Sequence, residues 1–424
     1  MKKNAMIIQI SFALALGILV GMFWPMSAPV LKPIGEVFLR LMQMAIPLLI
    51  LGQIIQALGS IDLKELASIG TRTLLIFGVS SLLAALWGVL LAVLFTPGSG
   101  MEHIERLSPT IEAQELSIQE TFLQFVPKNI FESLAQGSII QIIVFAIFFG
   151  LALNHYGQKQ PQSKLFQLIV DFNEVIILVI KYVMRLAPIG IFALVSSSIS
   201  RLGAQVILPM VKYLLVYSLA TVLFLLGWLV VVSIYGRLHP LKLIMNMKNM
   251  SIMALATTSS AITLPIELEE AQHKLGLSKR ISHLVLPLGM SLNSNGSAMH
   301  MALTVITIAQ MYQVEFQWTT MVYLAILATF ISLANAVVPG AGLVSLAIIV
   351  PQMGLPIESI AIFGGVEWLV GMLRTILNVN SDVYSAILVA KSVDEIDYEI
   401  FSRGLMNKKK GVAILKNTCY SKCK

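Results

Sequence analysis

Charge is scarce in this chain. Only 12% of its 424 residues are Asp, Glu, Lys or Arg, where a soluble domain carries roughly a quarter. A water-soluble core of this size cannot absorb 57% hydrophobic residues without exposing them, which excludes a soluble enzyme or binding module and leaves a polytopic membrane protein. Cysteine is equally sparse. Cys419 and Cys423 both sit in a tail rich in Lys408, Lys409, Lys410, Lys416, Lys422 and Lys424, and two cysteines make no disulfide framework. A cleavage signal is also missing: "MKKNAMIIQISFALALGILVGMFWP" mimics a signal peptide, but its apolar run is long for one and no A-x-A site follows. It reads as a first span. The net charge of +7 does not point to nucleic acid, because the cations sit in short segments between apolar runs and in the tail, as topology determinants do.

What is present is a series of long apolar stretches with a mean hydropathy of +0.84. Spanning takes about 20 residues at 1.5 Å rise. Stretches of that order fall near 5–25, 37–58, 73–96, 138–155, 166–200, 205–235, 281–312 and 358–391, which makes eight. The connections after the second (Lys64, Arg72), fourth (Lys159, Lys164) and sixth (Arg237, Lys242, Lys248) are basic, and that after the third carries Glu102, Glu105, Glu112, Glu115 and Glu120. With both termini cytoplasmic, every basic connection lies inside and the acidic one outside.

Two further stretches are not ordinary spans. Residues 251–266, "SIMALATTSSAITLPI", are short and rich in Ser and Thr, and the following "EAQHKLGLSKR" is basic. A segment that starts and ends inside is re-entrant. Residues 320–356 leave and return on the opposite side, broken by "VVPGAG". Broken backbone at membrane depth is tolerated where it lines a cavity or is buried in protein. Each hairpin precedes a long span, and two such units entering from opposite faces form an inverted repeat, the sequence pointer to a transporter's midplane site. A secondary transporter is expected.

In the last span, Glu367, Gly371, Arg374, Asn378 and Asp382 fall at roughly 0°, 40°, −20°, 20° and 60° on a helix, one polar stripe. An intramembrane Arg costs at least about 2.5–3.5 kcal/mol, so the stripe faces protein, water or ligand. The plainer alternative makes Arg374 a structural partner of Glu367 two turns away. The seventh span carries "LPLGMSLNSNGSAMH", where Asn293, Ser294, Asn295, Gly296 and Ser297 are poor helix-interior residues. They suggest unwound backbone, whose carbonyls suit Na⁺ while half-helix N-termini favour anionic groups; a kink with small-residue packing is the alternative. Ser297 and His300, one turn apart, would serve an intramembrane hydrolase, a weaker reading. "VSSSIS" at 195–200 is given no site.

These residues resemble the dicarboxylate/amino acid:cation symporters, the family of glutamate/aspartate and C4-dicarboxylate transporters. The resemblance covers nearly the whole chain through "FLRLMQMAIPLLI", "VPKNIFESLAQGSIIQIIVFAIFFGLALN", "RLAPIGIFAL", "TTSSAITLP", "LPLGMSLNSNGSAMH", "VVPGAGLVSL" and "LRTILNVNSD". It implies an all-α fold of eight transmembrane helices plus two oppositely oriented re-entrant hairpins, assembled as a homotrimer. Residues 1–72 would be scaffold helices 1–2, 73–100 transport-domain helix 3, and 101–204 the extracellular loop with scaffold helices 4–5. Residues 205–391 would complete a transport domain that moves like an elevator, and 392–424 a basic cytoplasmic tail. Carried over by position, Arg374 resembles the guanidinium that grips a substrate side-chain carboxylate, a bidentate task. Asn378 with Ser259 and Ser260 resembles the groups for the main carboxylate; Ser297 and Thr375 add hydroxyls, and Val338 to Gly342 close the second hairpin's tip. Asp382 with the carbonyls of Gly289, Asn293 and Asn378 resembles one sodium site. Ser80, Ser81, Asn293 and Asn295 resemble a second, and Ser291 with carbonyls around Ser332, Leu333 and Asn335 a third.

Two departures shape the expected function. The family usually reads N-M-D-G-T where this chain reads "NSNGS", so an amide stands at Asn295 in place of a carboxylate. The amino-acid transporters place an aspartate three residues before the arginine for the α-ammonium; here that position is Gly371, and a dehydrated ammonium there would lack its partner. The expected activity is import of a small anion with two carboxylates, a C4-dicarboxylate at least as readily as an acidic amino acid. Coupling would use Na⁺, with fewer ions than in fully equipped relatives, or H⁺ carried by Glu367. An anion channel conducting past Arg374 and a sensing relative without coupled transport are the rival classes. The short loops suit a bacterial inner membrane, with the lipid bilayer and no nucleic acid as partner.

Overall fold

The computed structural model describes residues 3–59, 69–100, 126–160, 162–202, 207–333, 341–364 and 366–403. Those residues form helices joined by short turns, and the one β-type pairing among them is an isolated antiparallel bridge between Leu277 and Ile396. In chain order the helices are α1 (Lys3–Phe23), α2 (Ala28–Gln43), α3 (Ile46–Gly59), α4 (Thr71–Phe95), α5 (Ile130–Gln136), α6 (Ile139–Lys159), α7 (Leu165–Arg185), α8 (Ala187–Leu202), α9 (Ile207–Gly236) and α10 (Pro240–Asn246). They continue as α11 (Lys248–Thr257), α12 (Ser260–His273), α13 (Lys279–Leu292), α14 (Asn295–Met311), α15 (Trp318–Leu333), α16 (Ala341–Gln352), α17 (Ile360–Gly364), α18 (Glu367–Ser392) and α19 (Tyr398–Arg403).

The eight apolar stretches do not become eight straight rods. Among the described residues, three helices (α4, α6 and α9) are long and apolar enough to cross a membrane by themselves, or up to six spans if each of three bent pairs counts as one. The chain turns by 105° between α1 and α2 at Trp24–Pro25, by 53° between α7 and α8, and by 85° between α17 and α18. The stretch 37–58 is itself divided at Met44–Ala45. Proline accounts for three of these breaks. Pro25, Pro47 and Pro188 each stand at the start of the new helix, where the missing N–H cannot continue the old one but costs nothing at a first turn. At the fourth break, Gly364 ends α17, and glycine is a weak helix former.

Both irregular stretches fold as helix pairs. α11 and α12 pack together and are joined at Thr258, which adopts the left-handed conformation with φ 47°. The start of the connection predicted after this hairpin, Glu270–His273, belongs to α12 instead. Glu270 explains that: it is buried, its Oε2 accepts from the Met250 N–H of α11 at 3.0 Å, and its Oε1 pairs with Lys274. α15 and α16 form the second pair; residues 334–340 between them lie outside the described residues.

Packing sorts the helices into two groups. α1, α2, α3, α6, α7 and α8 pack mainly on one another, while α4, α9, α11 to α14 and α16 pack on α18, with α15 against α4 and α14. α4 shows how the sequence does this. Its buried residues include Thr73, Ser80, Ser81, Ala84, Ala85, Gly88 and Ala92, a three–four spacing of small or polar residues that lets α14 approach closely. Leu75, Val79, Leu83, Leu90 and Leu94 are exposed on the other side, the composition of a lipid-facing surface. α14 is buried along nearly its whole length, from Asn295 to Ala309.

Candidate functional site

The site lies where three helix beginnings meet the middle of α18. Spacing places Glu367, Gly371, Arg374 and Asp382 on one face, and all four are buried. Arg374 Nη1 donates to Glu367 Oε1 at 3.0 Å, and both side chains are 8% exposed. The pair anticipated as the plainer reading is therefore formed. It is not isolated, however. The Gly342 N–H, at the start of α16, donates to the same Glu367 oxygen at 3.1 Å. A Cβ at position 342 would stand 2.0 Å from Arg374 Nη1, so any larger residue there would have to push the ends of the paired side chains aside.

From the other side comes α14. The chain leaves α13 at Leu292 and resumes helix at Asn295, so the seventh stretch is interrupted at Asn293–Ser294 as its composition predicts. The Gly296 N–H donates to Asn378 Oδ1 at 2.8 Å, and the Tyr217 hydroxyl donates to the Gly296 carbonyl at 3.0 Å. A Cβ on Gly296 would lie 2.4 Å from the Arg374 carbonyl oxygen. The first turns of α14 and α16, whose N–H groups lack intrahelical acceptors, thus converge on a guanidinium. That arrangement suits an anion with more than one acidic group.

The remaining substrate residues are placed as follows. Ser297 is buried in the first turn of α14. Thr375 is buried, but its hydroxyl returns to the Gly371 carbonyl at 2.7 Å. Ser259 and Ser260 open α12, which packs on α18, and the Thr257 and Thr263 hydroxyls both bond to the Ser259 carbonyl. Val338 falls outside the described residues. At Gly371 a Cβ would meet nothing nearer than Arg374 Nη2 at 3.8 Å, so the position is open and sits beside the guanidinium.

Two of the three oxygen clusters assemble. Asp382 Oδ1 accepts from Asn293 Nδ2 at 2.8 Å, and Gly289 is so close that a Cβ would lie 2.7 Å from the Asp382 carboxyl carbon. The second cluster joins α4 to the break. The Ser80 hydroxyl lies 3.2 Å from both Asn293 Oδ1 and Asn295 Oδ1, and the Ser81 hydroxyl donates to Asn295 Oδ1 at 2.8 Å. Ser80, Ser81, Asn293, Asn295 and Asp382 are all buried, so these groups answer one another instead of water. Among the described residues the third set shares no hydrogen bond: the Ser291 hydroxyl bonds the Pro287 carbonyl and that of Ser332 the Thr329 carbonyl, each within its own helix. Leu333 ends α15, and Asn335 falls outside the described residues.

Sequence reasoning passed over Glu267 and over the Tyr213 and Thr304 partners of His300. Glu267 is fully buried in α12; its signal was the i, i+4, i+7 spacing of Thr263, Glu267 and Glu270. Tyr213 of α9 lies 2.7 Å from His300 Nδ1, with the Thr304 hydroxyl 3.0 Å from the Tyr213 oxygen and 3.2 Å from the same nitrogen. His300 is thereby a member of a helix-packing network with Tyr213 and Tyr217.

The chain matches the profile of the sodium:dicarboxylate symporter family over residues 6–392. It is 33% identical over 404 residues to a proton/sodium-glutamate symport protein of Geobacillus stearothermophilus, covering 92% of this chain and 95% of that one. It is 32% identical over 414 residues to a proton/glutamate-aspartate symporter of Escherichia coli K12, covering 92% and 93%. With a C4-dicarboxylate transport protein of Albidiferax ferrireducens it shares 27% identity over 409 residues, covering 94% and 90%. These are transporters and not enzymes, so a Ser297–His300 hydrolase is set aside, and the chain belongs to the sodium:dicarboxylate symporter family.

Proposed function

We propose that this protein imports a small dicarboxylate by coupled symport, taking C4-dicarboxylates at least as readily as acidic amino acids. The observation that carries the reading is the buried Arg374, met by the N-terminal turns of both α14 and α16. A purely structural ion pair would need neither helix start. Relatives named for glutamate and for C4-dicarboxylates both align along more than 90% of the chain, so similarity alone leaves the substrate open. Gly371 favours the second class, because no carboxylate stands at that opening beside Arg374 Nη2 for an ammonium group to meet. Competition for a labelled substrate tests it: succinate, fumarate or malate should displace label at least as well as aspartate, and displacement by amino acids alone would refute this reading.

For coupling, the Asp382 cluster with Gly289, Asn293 and Asn378 is the better sodium site, since it holds a carboxylate. The Ser80, Ser81 and Asn295 cluster offers neutral oxygens only, and a monovalent cation is attracted less to an amide than to a carboxylate. Sodium stoichiometry is therefore low, and a proton is the alternative coupling ion. Uptake into proteoliposomes with sodium and proton gradients imposed separately measures this; steep dependence on several sodium ions per cycle would contradict it. The two packing groups of helices support a scaffold formed by residues 1–72 and 101–204 and a moving part formed by 73–100 and 205–391, in a homotrimer with eight spans, both termini cytoplasmic, in a bacterial inner membrane. Cross-linking in native membranes that traps trimers, and cysteine pairs between groups that form in one gradient direction only, are the expected outcomes.

A further inference from the structure

Glu267 has no role in the site described so far, yet its position is costly. Its side chain is 0% exposed, as is that of Asp382. Neither Glu267 oxygen, nor Asp382 Oδ2, has a hydrogen-bond partner among the described residues. The two carboxylates are near enough to act on one another electrostatically, α12 being packed on α18. Among the described residues, no basic side chain is hydrogen-bonded to Glu267 or to Asp382 Oδ2. The basic residue of the stripe, Arg374, is eight residues before Asp382, about 12 Å along the helix, and is already engaged by Glu367. Ser385, one turn beyond Asp382 on α18, is also fully buried with its hydroxyl unpartnered among the described residues. Two buried carboxylates within reach of each other's field repel, and removing either from water costs several kcal/mol unless a counter-charge accompanies it. Asn293 Nδ2 occupies Asp382 Oδ1 and leaves Oδ2 free.

We propose that Glu267 and Asp382 are the two carboxylate ligands of one buried site for a hard monovalent cation, sodium, bound between Asp382 Oδ2 and the Glu267 carboxylate. Oxygen donors of this kind are those hard cations take. The proposal rests on the reading of Asp382 as a coupling-ion ligand and adds a second carboxylate to it from the first hairpin. It gives that hairpin a function beyond framing the substrate: sodium ties α12 to α18 and draws the two helices together when it binds. It also supplies from α12 the negative charge that the amide of Asn295 does not offer.

The test is thermal unfolding of the purified full chain, without substrate, as sodium chloride replaces choline chloride at constant ionic strength. Sodium should raise the melting point of the wild type by mass action. Glu267→Gln should need at least tenfold more sodium for half the effect, and in choline alone it should be at least as heat-stable as the wild type, because a buried uncompensated charge is gone. Should Glu267→Gln fail to fold, Glu267→Asp, which keeps the charge and withdraws it by a methylene, should show a smaller but measurable rise in the sodium required. A sodium response identical to wild type in the variant that folds would overturn the proposal. In that event Asp382→Asn separates the two readings: loss of the response there leaves the Asp382 site standing, and its persistence removes that as well. Stabilisation by calcium but not by sodium would overturn the assignment to a monovalent ion.

Discussion

The two groups of helices bury different things. Where α3 meets α6 and α7 the interior is Leu49, Ile50, Ile54, Ile142, Ile143 and Ala146, and the buried polar side chains of α1 to α3 and α6 to α8 are uncharged, among them Asn154, Asn173, Ser196 and Ser197. Around α18 the buried set includes Glu267, Glu270, Glu367, Arg374 and Asp382. Every buried charge among the described residues thus lies in one group. Burying charge works against stability unless it is compensated, so the group around α18 carries a cost that the apolar group does not. The apolar half can be held by shape alone; Gly190, for instance, lets α8 sit so close to Phe38 that a Cβ would lie 2.2 Å from its ring.

Substitutions can break that contrast. The largest effect is expected at the ion pair. Arg374→Met should cost about 3–5 kcal/mol by leaving Glu367 charged and unpaired, and the double variant Arg374→Met/Glu367→Gln should regain most of it; denaturant or thermal unfolding measures both. Next come the close approaches. Gly296→Val, forced against the Arg374 carbonyl, and Gly190→Val, forced against Phe38, should each cost about 1–3 kcal/mol as overpacked sites do. Only the first should also weaken substrate affinity in the protein that remains folded, as ligand-induced shifts in melting point would show. Equal effects on affinity would erase the functional difference between the groups.

Smaller changes sharpen the comparison. Gly371→Asp should move preference toward amino acids by roughly tenfold, about 1.4 kcal/mol, in competition assays, since it sets a carboxylate beside Arg374 Nη2. Asn295→Asp should strengthen sodium dependence by supplying a carboxylate to Ser80 and Ser81. The smallest effect is expected at Lys32 and Glu36, an exposed pair at 3.5 Å in the apolar group; Lys32→Ala should alter stability by less than about 1 kcal/mol and leave uptake unchanged.

Much of the polar half was legible before any coordinates, because polar residues within apolar stretches stand out and helical periodicity orders them. The α18 stripe, the break at Asn293–Ser294 and both helix pairs follow from that rule. Glu267 escaped it. It falls between the hairpin read at 251–266 and the basic connection "EAQHKLGLSKR", and only the spacing of Thr263, Glu267 and Glu270 marks an inward face. The bends at Trp24–Pro25, Met44–Ala45 and Leu186 were written in Pro25, Pro47 and Pro188, but a hydropathy window averages a proline away. Which oxygens share a partner, as Ser80 and Ser81 do with Asn295, depends on contacts between helices far apart in sequence, and no local pattern holds that information.

The central claim is that Arg374 neutralises a visiting dianion, and the double variant Arg374→Met/Glu367→Gln tests it with least confusion from folding. Succinate and aspartate should be titrated into the purified wild type and this variant by calorimetry, with sodium present. Binding to the wild type and none to the folded variant is the predicted result; equal affinity for both proteins would contradict the account.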